Sequence, residues 1–230
     1  MKDSCNKAWV RGVMTVARPI MNMKVYGVER IRNLDAPAVF VGNHGAVYGA
    51  IAAMVYLPVH FRPWINETML DRDSAARSIL GTFTDKDNLM SDGVRLRTVE
   101  RIAGLVSSAI KSFNPITVSR SNPIAMLDTI RETVDTLVAG DNVLIFPENP
   151  EVHYDDDSFR KLHPAFGILG FRYYVQSQKC LHFYPVFSDS GRKEFSIGEP
   201  VIYMPGEDER QEAMRIVTEI QGRLICMSEH

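Results

Sequence analysis

A histidine in a glycine-flanked loop is the residue of this sequence best suited to chemistry. His44 follows a short apolar run, Ala38 to Val41, within the loop Gly42-Asn43-His44-Gly45. An unperturbed imidazole has a pKa of about 6.5, so it exchanges a proton readily near neutral pH and can act as a general base. A histidine that merely caps a turn is the alternative interpretation when this dipeptide is considered alone.

Two further charged side chains follow apolar runs in the same way. Arg120 comes after Ile116-Thr117-Val118, and Glu148 comes after Val143 to Phe146 in the segment Phe146-Pro147-Glu148-Asn149-Pro150. A guanidinium group offers a planar fork that suits phosphate or carboxylate. The prolines around Glu148 make a rigid turn that fixes where its carboxylate points. The alternatives are a surface ion pair for Arg120 and a turn kept only for its shape.

The elements that must position these side chains predict an α/β domain. Strands are predicted at 38–41, 116–118 and 143–146, with helices from about 49 to 56 and from Pro123 to just before Gly140. A strand–helix–strand unit of this length predicts a right-handed crossover and parallel neighbouring strands. Because parallel strands place their carboxyl ends at one edge, His44 and Arg120 are expected to share a cleft there.

The rest of the chain reads as further helices and strands of the same domain. A basic and apolar pattern predicts an N-terminal amphipathic helix at about 6–17, within a segment at 1–24 that precedes the domain at 25–230. Helical spacing recurs at 94–113, at 166–175 and from 207 nearly to the end. A strand at 181–187, interrupted by Pro185, and edge strands at 195–197 and 201–203 complete the prediction.

Composition excludes several classes of function. The 230 residues carry a formal net charge of −2, which argues against nucleic acid as a partner. No apolar run reaches 18 residues and no signal peptide is evident, so a cytoplasmic protein is expected. The three cysteines are scattered and predict neither a zinc site nor a disulfide framework. His153 with the acidic run 155–157 is interpreted as a solvent-facing loop, so no metal is expected.

Four short segments together resemble the sequence blocks of a known family. In order they are Asn43-His44, Ile116-x-Val118-x-Arg120, Phe146-Pro147-Glu148 and Tyr184-Pro185-Val186. Their order and spacing over residues 25–203 resemble the glycerolipid acyltransferases of the 1-acylglycerol-3-phosphate type, in a divergent bacterial branch. The resemblance implies a single α/β domain with a mixed, mostly parallel central sheet flanked by helices.

The resemblance also implies roles for the residues in these blocks. His44 matches the base that removes the proton from an acceptor hydroxyl, which then attacks an acyl thioester. Arg120 and Glu148 match positions that hold the phosphoglycerol end of the acceptor, and Pro185 matches a block near the acyl-binding region. Asn43, Tyr48 and Pro147 are expected beside them in the substrate site.

One position departs from the family pattern. In the family, four residues separate the histidine from an aspartate that orients it, and after Gly45-Ala46-Val47-Tyr48 this sequence has Gly49 at that position. Three interpretations remain. Another group orients His44, which would be Tyr48, Glu148 or an aspartate of the loop at 85–92; the acceptor is a more nucleophilic amine or a specialised metabolite; or the site binds lipid without turning it over.

The resemblance implies an acyltransferase that works without a metal or redox cofactor. Its expected co-substrate is a fatty acyl thioester of coenzyme A or acyl carrier protein, and its expected acceptor is a lysophospholipid-like hydroxyl. Acyl carrier protein and a membrane surface are the expected partners. The expected location is the cytoplasm, with peripheral attachment to the inner face of the cell membrane.

Overall fold

The fold is an eight-stranded sheet with helices on both faces. The computed structural model describes residues 18–19, 21–45, 48–66, 108, 110–118, 123–148 and 161–229. The helices are α1 (Tyr48–Tyr56), α2 (Pro123–Val138), α3 (Leu169–Ser177) and α4 (Glu209–Glu229), with short 3-10 helices at Val28–Ile31 and Pro164–Ile168. The strands are β1 (Lys24–Tyr26), β2 (Ala38–Gly42), β3 (Phe61–Asn66), β4 (Ile116–Val118), β5 (Asn142–Ile145), β6 (His182–Asp189), β7 (Glu194–Ile197) and β8 (Val201–Ile202).

The sheet is parallel at its centre and antiparallel at one side. Its order is β1-β7-β6-β2-β5-β3-β4, and β8 pairs with β6 beside β7. The five strands from β6 to β4 run parallel to one another, whereas β7 and β8 are antiparallel to β6. The mixed, mostly parallel sheet predicted from the resemblance is confirmed.

The two faces of the sheet carry separate apolar cores because side chains alternate along each strand. In β2, Val39 and Val41 pack with α2, α3 and α4 on one face, whereas Phe40 packs with α1 on the other. All three side chains are fully buried. A central strand covered on both faces explains why this run is continuously apolar instead of alternating.

The predicted bounds of helix α2 are confirmed, but the strands that it connects are not paired as predicted. Strands β4 and β5 are parallel, yet they are not neighbours, because β3 lies between them and pairs with both. The prediction of neighbouring strands was therefore wrong. Strand β3 was not recognised because Pro63 is unusual within a strand. It is accommodated because β4 pairs with β3 only from Trp64 onward, which leaves that edge of Pro63 unpaired.

Strand β6 is also continuous where an interruption was predicted. It runs through Pro185, which lies opposite Val41 of β2. On its other edge β6 pairs with β8 at 182–183 and with β7 at 186–189. Pro185 thus falls in the gap between these partners, where its missing N–H costs no ladder hydrogen bond.

The predicted helix at 6–17 and most of that at 94–113 lie outside the described residues, and the division into 1–24 and 25–230 stays a prediction. Within the described part of the chain, no helix combines the length and the apolar character needed to cross a membrane.

Candidate functional site at the carboxyl edge of the sheet

The candidate site lies where β2, β5 and β6 end side by side. Val41 is opposite Ile145 of β5 and Pro185 of β6, so the three strands reach the same edge in register. The chain then continues into Asn43-His44 after β2 and into Phe146-Pro147-Glu148 after β5, while β6 reaches this edge at Ser188 and Asp189. The sheet therefore brings His44 and Glu148 together although 104 residues separate them in the chain.

His44 and Glu148 are joined through the main chain of the histidine. The backbone N–H of His44 donates a hydrogen bond to Oε1 of Glu148. The carboxylate is only 1% exposed, and both its Oε2 and Nδ1 of the imidazole are buried. The ring of Phe146 stands edge-on to the imidazole, with 5.4 Å between ring centroids. A buried carboxylate and an aromatic ring thus hold the histidine from the side of β5.

Asn43 ties the end of β2 to β6 on the other side of His44. Its Nδ2 donates to the carbonyl oxygen of Ser188 at 2.9 Å, and the Ser188 N–H donates to its Oδ1 at 2.8 Å. The Ser188 hydroxyl lies 3.3 Å from the same Oδ1 and donates to it as well. Both residues are buried. These contacts give Asn43 an inter-strand role, and its expected contact with the substrate stays a prediction.

Ser188 is the site residue that the sequence did not reveal. The strand was predicted to end at Phe187, two residues before its end at Asp189. Polar Ser188 and Asp189 directly after an apolar run are the same signal that marked Asn43 and His44 after β2.

Gly49 is packed so tightly that no side chain fits at its position. A β-carbon added to Gly49 would lie 2.2 Å from the carbonyl oxygen of Asn43 and 2.7 Å from that of His44. The Gly49 N–H donates to the His44 carbonyl at 3.0 Å. The chain turns back on itself here with the help of Gly45, whose φ of +47° suits glycine. The position that the family fills with aspartate is therefore occupied by main chain.

Tyr48 and Asp189 are two further polar residues close to His44 in the fold, one at the start of α1 and one at the end of β6. Burial, together with the charges of Tyr56 and Asp189, raises the pKa of Tyr48, so its hydroxyl stays protonated. Burial acts to raise the pKa of Asp189, but hydrogen bonds from Arg192 and its charge outweigh this and lower it. The Asp189 carboxylate accepts from Arg192 Nε at 2.7 Å and from the Gly191 N–H at 2.8 Å, so it closes its own turn.

The remaining predicted site residues fall in different places. The Pro147 carbonyl accepts a hydrogen bond from the His163 N–H at 2.6 Å, which ties the Glu148 turn to the segment before α3. Pro185 is buried within the sheet, where its ring packs closely on Gly198, and it does not reach the edge with His44. Arg120 lies outside the described residues, although β4 before it ends at the same edge. The roles of these residues stay predictions.

A large groove lies among the helices on one face of the sheet. It has a volume of about 1100 Å³ and lies between α2, the 3-10 helix Pro164–Ile168, α3 and α4. His163, which lines the groove, donates its N–H to the carbonyl oxygen of Pro147, the residue before Glu148. Six large apolar side chains line it, and three arginines border them. The apolar residues are Met126, Leu127, Ile130, Val134, Ile168 and Met214, and the arginines are Arg131, Arg172 and Arg210.

Among the described residues, no group of three or more histidine, cysteine, aspartate or glutamate side chains is placed to hold a metal ion. The acidic loop with His153 lies outside them.

The fold is of the glycerolipid acyltransferase type, as the four sequence blocks predicted. The chain is similar to the crystal structure of the 1-acyl-sn-glycerophosphate (LPA) acyltransferase PlsC from Thermotoga maritima, with a TM-score of 0.52 and 14% sequence identity. The similarity covers 96% of this chain and 79% of that one. No protein-family model and no curated protein sequence matches the chain. At this level of identity, the likeness establishes a shared fold.

Proposed function

We propose that this protein is an acyltransferase that moves a fatty acyl group from a thioester to a lysophospholipid-like hydroxyl. The observation that carries the proposal is the placement of His44 at the carboxyl edge of an acyltransferase-type sheet, held by buried groups from β5 and β6. Ligand sites of open α/β sheets lie at this edge. A histidine fixed there is suited to proton transfer.

The proposed reaction uses the imidazole of His44 as general base. The imidazole accepts the proton of the acceptor hydroxyl while the oxygen forms the new ester bond to the thioester carbonyl carbon. The carbon–sulfur bond breaks, and the leaving sulfur takes the proton from the imidazolium, so that free thiol is released. General bases of this kind contribute about 10²–10⁴-fold to rate.

The groove supports a substrate with a fatty chain. Leu127 is 65% exposed and Met214 is 52% exposed, so apolar groove surface faces solvent until something apolar covers it. An acyl chain would bury this surface favourably. We propose that the chain lies in this groove and that the protein acts at a membrane surface, where such substrates reside, with coenzyme A or acyl carrier protein as the thiol carrier.

The test is thiol release by purified protein from an acyl thioester in the presence of lysophosphatidic acid. Parallel reactions with acyl-coenzyme A and acyl carrier protein identify the donor. His44→Ala is expected to lose about 10²–10⁴-fold of the rate. His60→Ala is the matched control, because His60 lies at the opposite edge of the sheet, 3.6 Å from Asp141. Activity that survives intact in His44→Ala contradicts the proposed base.

Gly49 favours a second candidate, a protein that binds acyl ligands on this fold without turning them over. In that case acyl ligands bind to the purified protein, and no thiol is released with any acceptor in a panel that includes lysophospholipids and amines. Turnover of one acceptor rules this candidate out.

A further inference from the structure

The buried carboxylate of Glu148 is poorly placed for the role that the family resemblance gives it. That role is to hold the phosphoglycerol end of the acceptor. The side chain is only 1% exposed, and its Oε1 already accepts the hydrogen bond from the His44 N–H. A carboxylate would also repel a phosphate group, because like charges disfavour each other, most strongly away from water. This hydrogen bond joins the carboxylate to the main chain of His44.

An aspartate at position 49, which orients the histidine in the family, is sterically excluded in this chain. An aspartate at position 49 would bring its β-carbon to 2.2 Å from the Asn43 carbonyl oxygen, and contacts under 3.0 Å essentially do not occur. The main chain around His44 is instead fixed from neighbouring strands. Asn43 is held by Ser188 of β6, and the next N–H along the chain is held by Glu148.

We propose that Glu148 is the positioning residue of His44. It acts through the main chain, whereas the family aspartate at position 49 would act on the base from the following helix. This inference rests on the proposed function. Accepting from the His44 N–H fixes the peptide that carries the side chain, and the imidazole is joined to that nitrogen through only Cα and Cβ, within about 5 Å. A shift of the peptide therefore displaces the base by a similar amount, and such displacement costs rate.

The first experiment separates positioning of the base from binding of the acceptor. Glu148→Ala is expected to lower kcat about 10–100-fold, the range found when other histidine-orienting groups are removed, with the KM for the acceptor nearly unchanged. Glu148→Gln is expected to recover most of that kcat, because its amide oxygen still accepts from the N–H. A raised KM for the acceptor with unchanged kcat overturns the proposal and supports acceptor binding instead.

A second experiment reads the contact without turnover. In protein labelled with ¹⁵N-histidine, six amide signals are expected, and the spectrum of His44→Ala assigns the signal of His44. Its amide proton is expected to move upfield in Glu148→Ala, because that variant has no acceptor for the hydrogen bond. It is expected to stay nearly in place in Glu148→Gln, because the side-chain amide oxygen replaces the carboxylate as acceptor. An unmoved signal in Glu148→Ala overturns the positioning role.

Glu212→Ala is the matched control for both experiments. Glu212 is another buried glutamate, 2% exposed, and it also accepts from a main-chain N–H, that of Met204, at 2.8 Å. It is expected to leave the His44 amide signal, kcat and KM of the folded protein unchanged. Wild-type protein that releases no thiol contradicts the proposed function, whereas the amide signals still decide whether Glu148 positions His44.

Discussion

At the scale of single residues, the position of Gly49 changes its meaning between sequence and structure. In the sequence, glycine stands where an orienting aspartate is expected and suggests a vacancy. In the structure that space holds the carbonyl oxygens of Asn43 and His44. The histidine is anchored from Glu148 instead. The sequence motif shows that the aspartate side chain is missing, but it does not show that main-chain atoms occupy the space that this side chain would need.

Substitution of Gly49 is expected to disturb the site even with the smallest side chain. Gly49→Ala should lower the free energy of unfolding by about 1–3 kcal/mol, because a methyl group must displace packed main chain. Denaturation with urea measures this. Gly49→Asp, although it restores the residue type of the family, is expected not to raise thiol release, and a gain of activity in this variant contradicts the steric argument.

Gly222 offers the matched control for that substitution. It lies within α4, and an added β-carbon would meet no atom within 4 Å. Gly222→Ala is expected to raise the free energy of unfolding by about 0.5–1 kcal/mol, because alanine favours the helix. If the free energy of unfolding falls in Gly49→Ala and rises in Gly222→Ala, the effect at position 49 comes from close packing and not from helix propensity.

At the scale of elements, the strand ends are held together by two asparagines at opposite edges of the sheet. Asn43 joins β2 to β6 at the carboxyl edge. At the amino edge, Asn142 joins the start of β5 to the starts of β2 and β3. Its Oδ1 accepts from the Ala38 N–H at 2.9 Å, and its Nδ2 donates to the His60 carbonyl at 2.7 Å. Only the first pair of contacts lies beside His44.

The two asparagines are expected to differ in their effects on stability and on activity. Asn43→Ala should lower the free energy of unfolding by about 1–3 kcal/mol, because it leaves buried main-chain groups unsatisfied, and Asn142→Ala should lower it by less, because water can reach its partners. Asn43→Ala alone is expected to lower thiol release per mole of folded protein. The two measurements are urea denaturation and the thioester assay, and equal activities of the two variants contradict a role for Asn43 beside the base.

Much of the element structure was predictable because local signals agree with the fold. Pro123 and Gly140 bracket α2 as a helix start and stop signal should, and the apolar run at 38–41 became the covered central strand β2. Strand β3 and the continuity of β6 were missed because Pro63 and Pro185 argue against strands. Each proline is tolerated through pairing gaps set by distant strands. Such gaps, like the contact between His44 and Glu148, depend on tertiary arrangement that local sequence does not encode.

At the scale of the whole molecule, the groove between the helices is connected to the carboxyl edge of the sheet by the hydrogen bond from His163 to Pro147. In the proposed function the edge supplies the base, and the groove supplies apolar surface for the acyl chain. A fatty substrate that spans both would place its reacting end near His44.

This arrangement predicts that filling the groove changes chain-length preference. Ala213 lines the groove from α4, and Ala213→Trp is expected to reduce thiol release from long-chain donors while short-chain donors react nearly as before. Thr218→Trp, at an exposed position of the same helix outside the groove, controls for the added indole. The measurement is the rate across a series of acyl thioesters, and equal losses at all chain lengths contradict the proposed location of the chain.

Asn43 and His44 are far along the chain from the residues that hold them, and this separation has a consequence for biosynthesis. Glu148 follows His44 by 104 residues, and Ser188 follows Asn43 by 145. Contacts between such distant partners form late, because the intervening chain must first be ordered. A nascent chain on the ribosome therefore carries its histidine long before the carboxylate and the serine that hold it exist. The carboxyl edge around His44 is completed only when β6 has been translated, so incomplete chains lack the assembled candidate site.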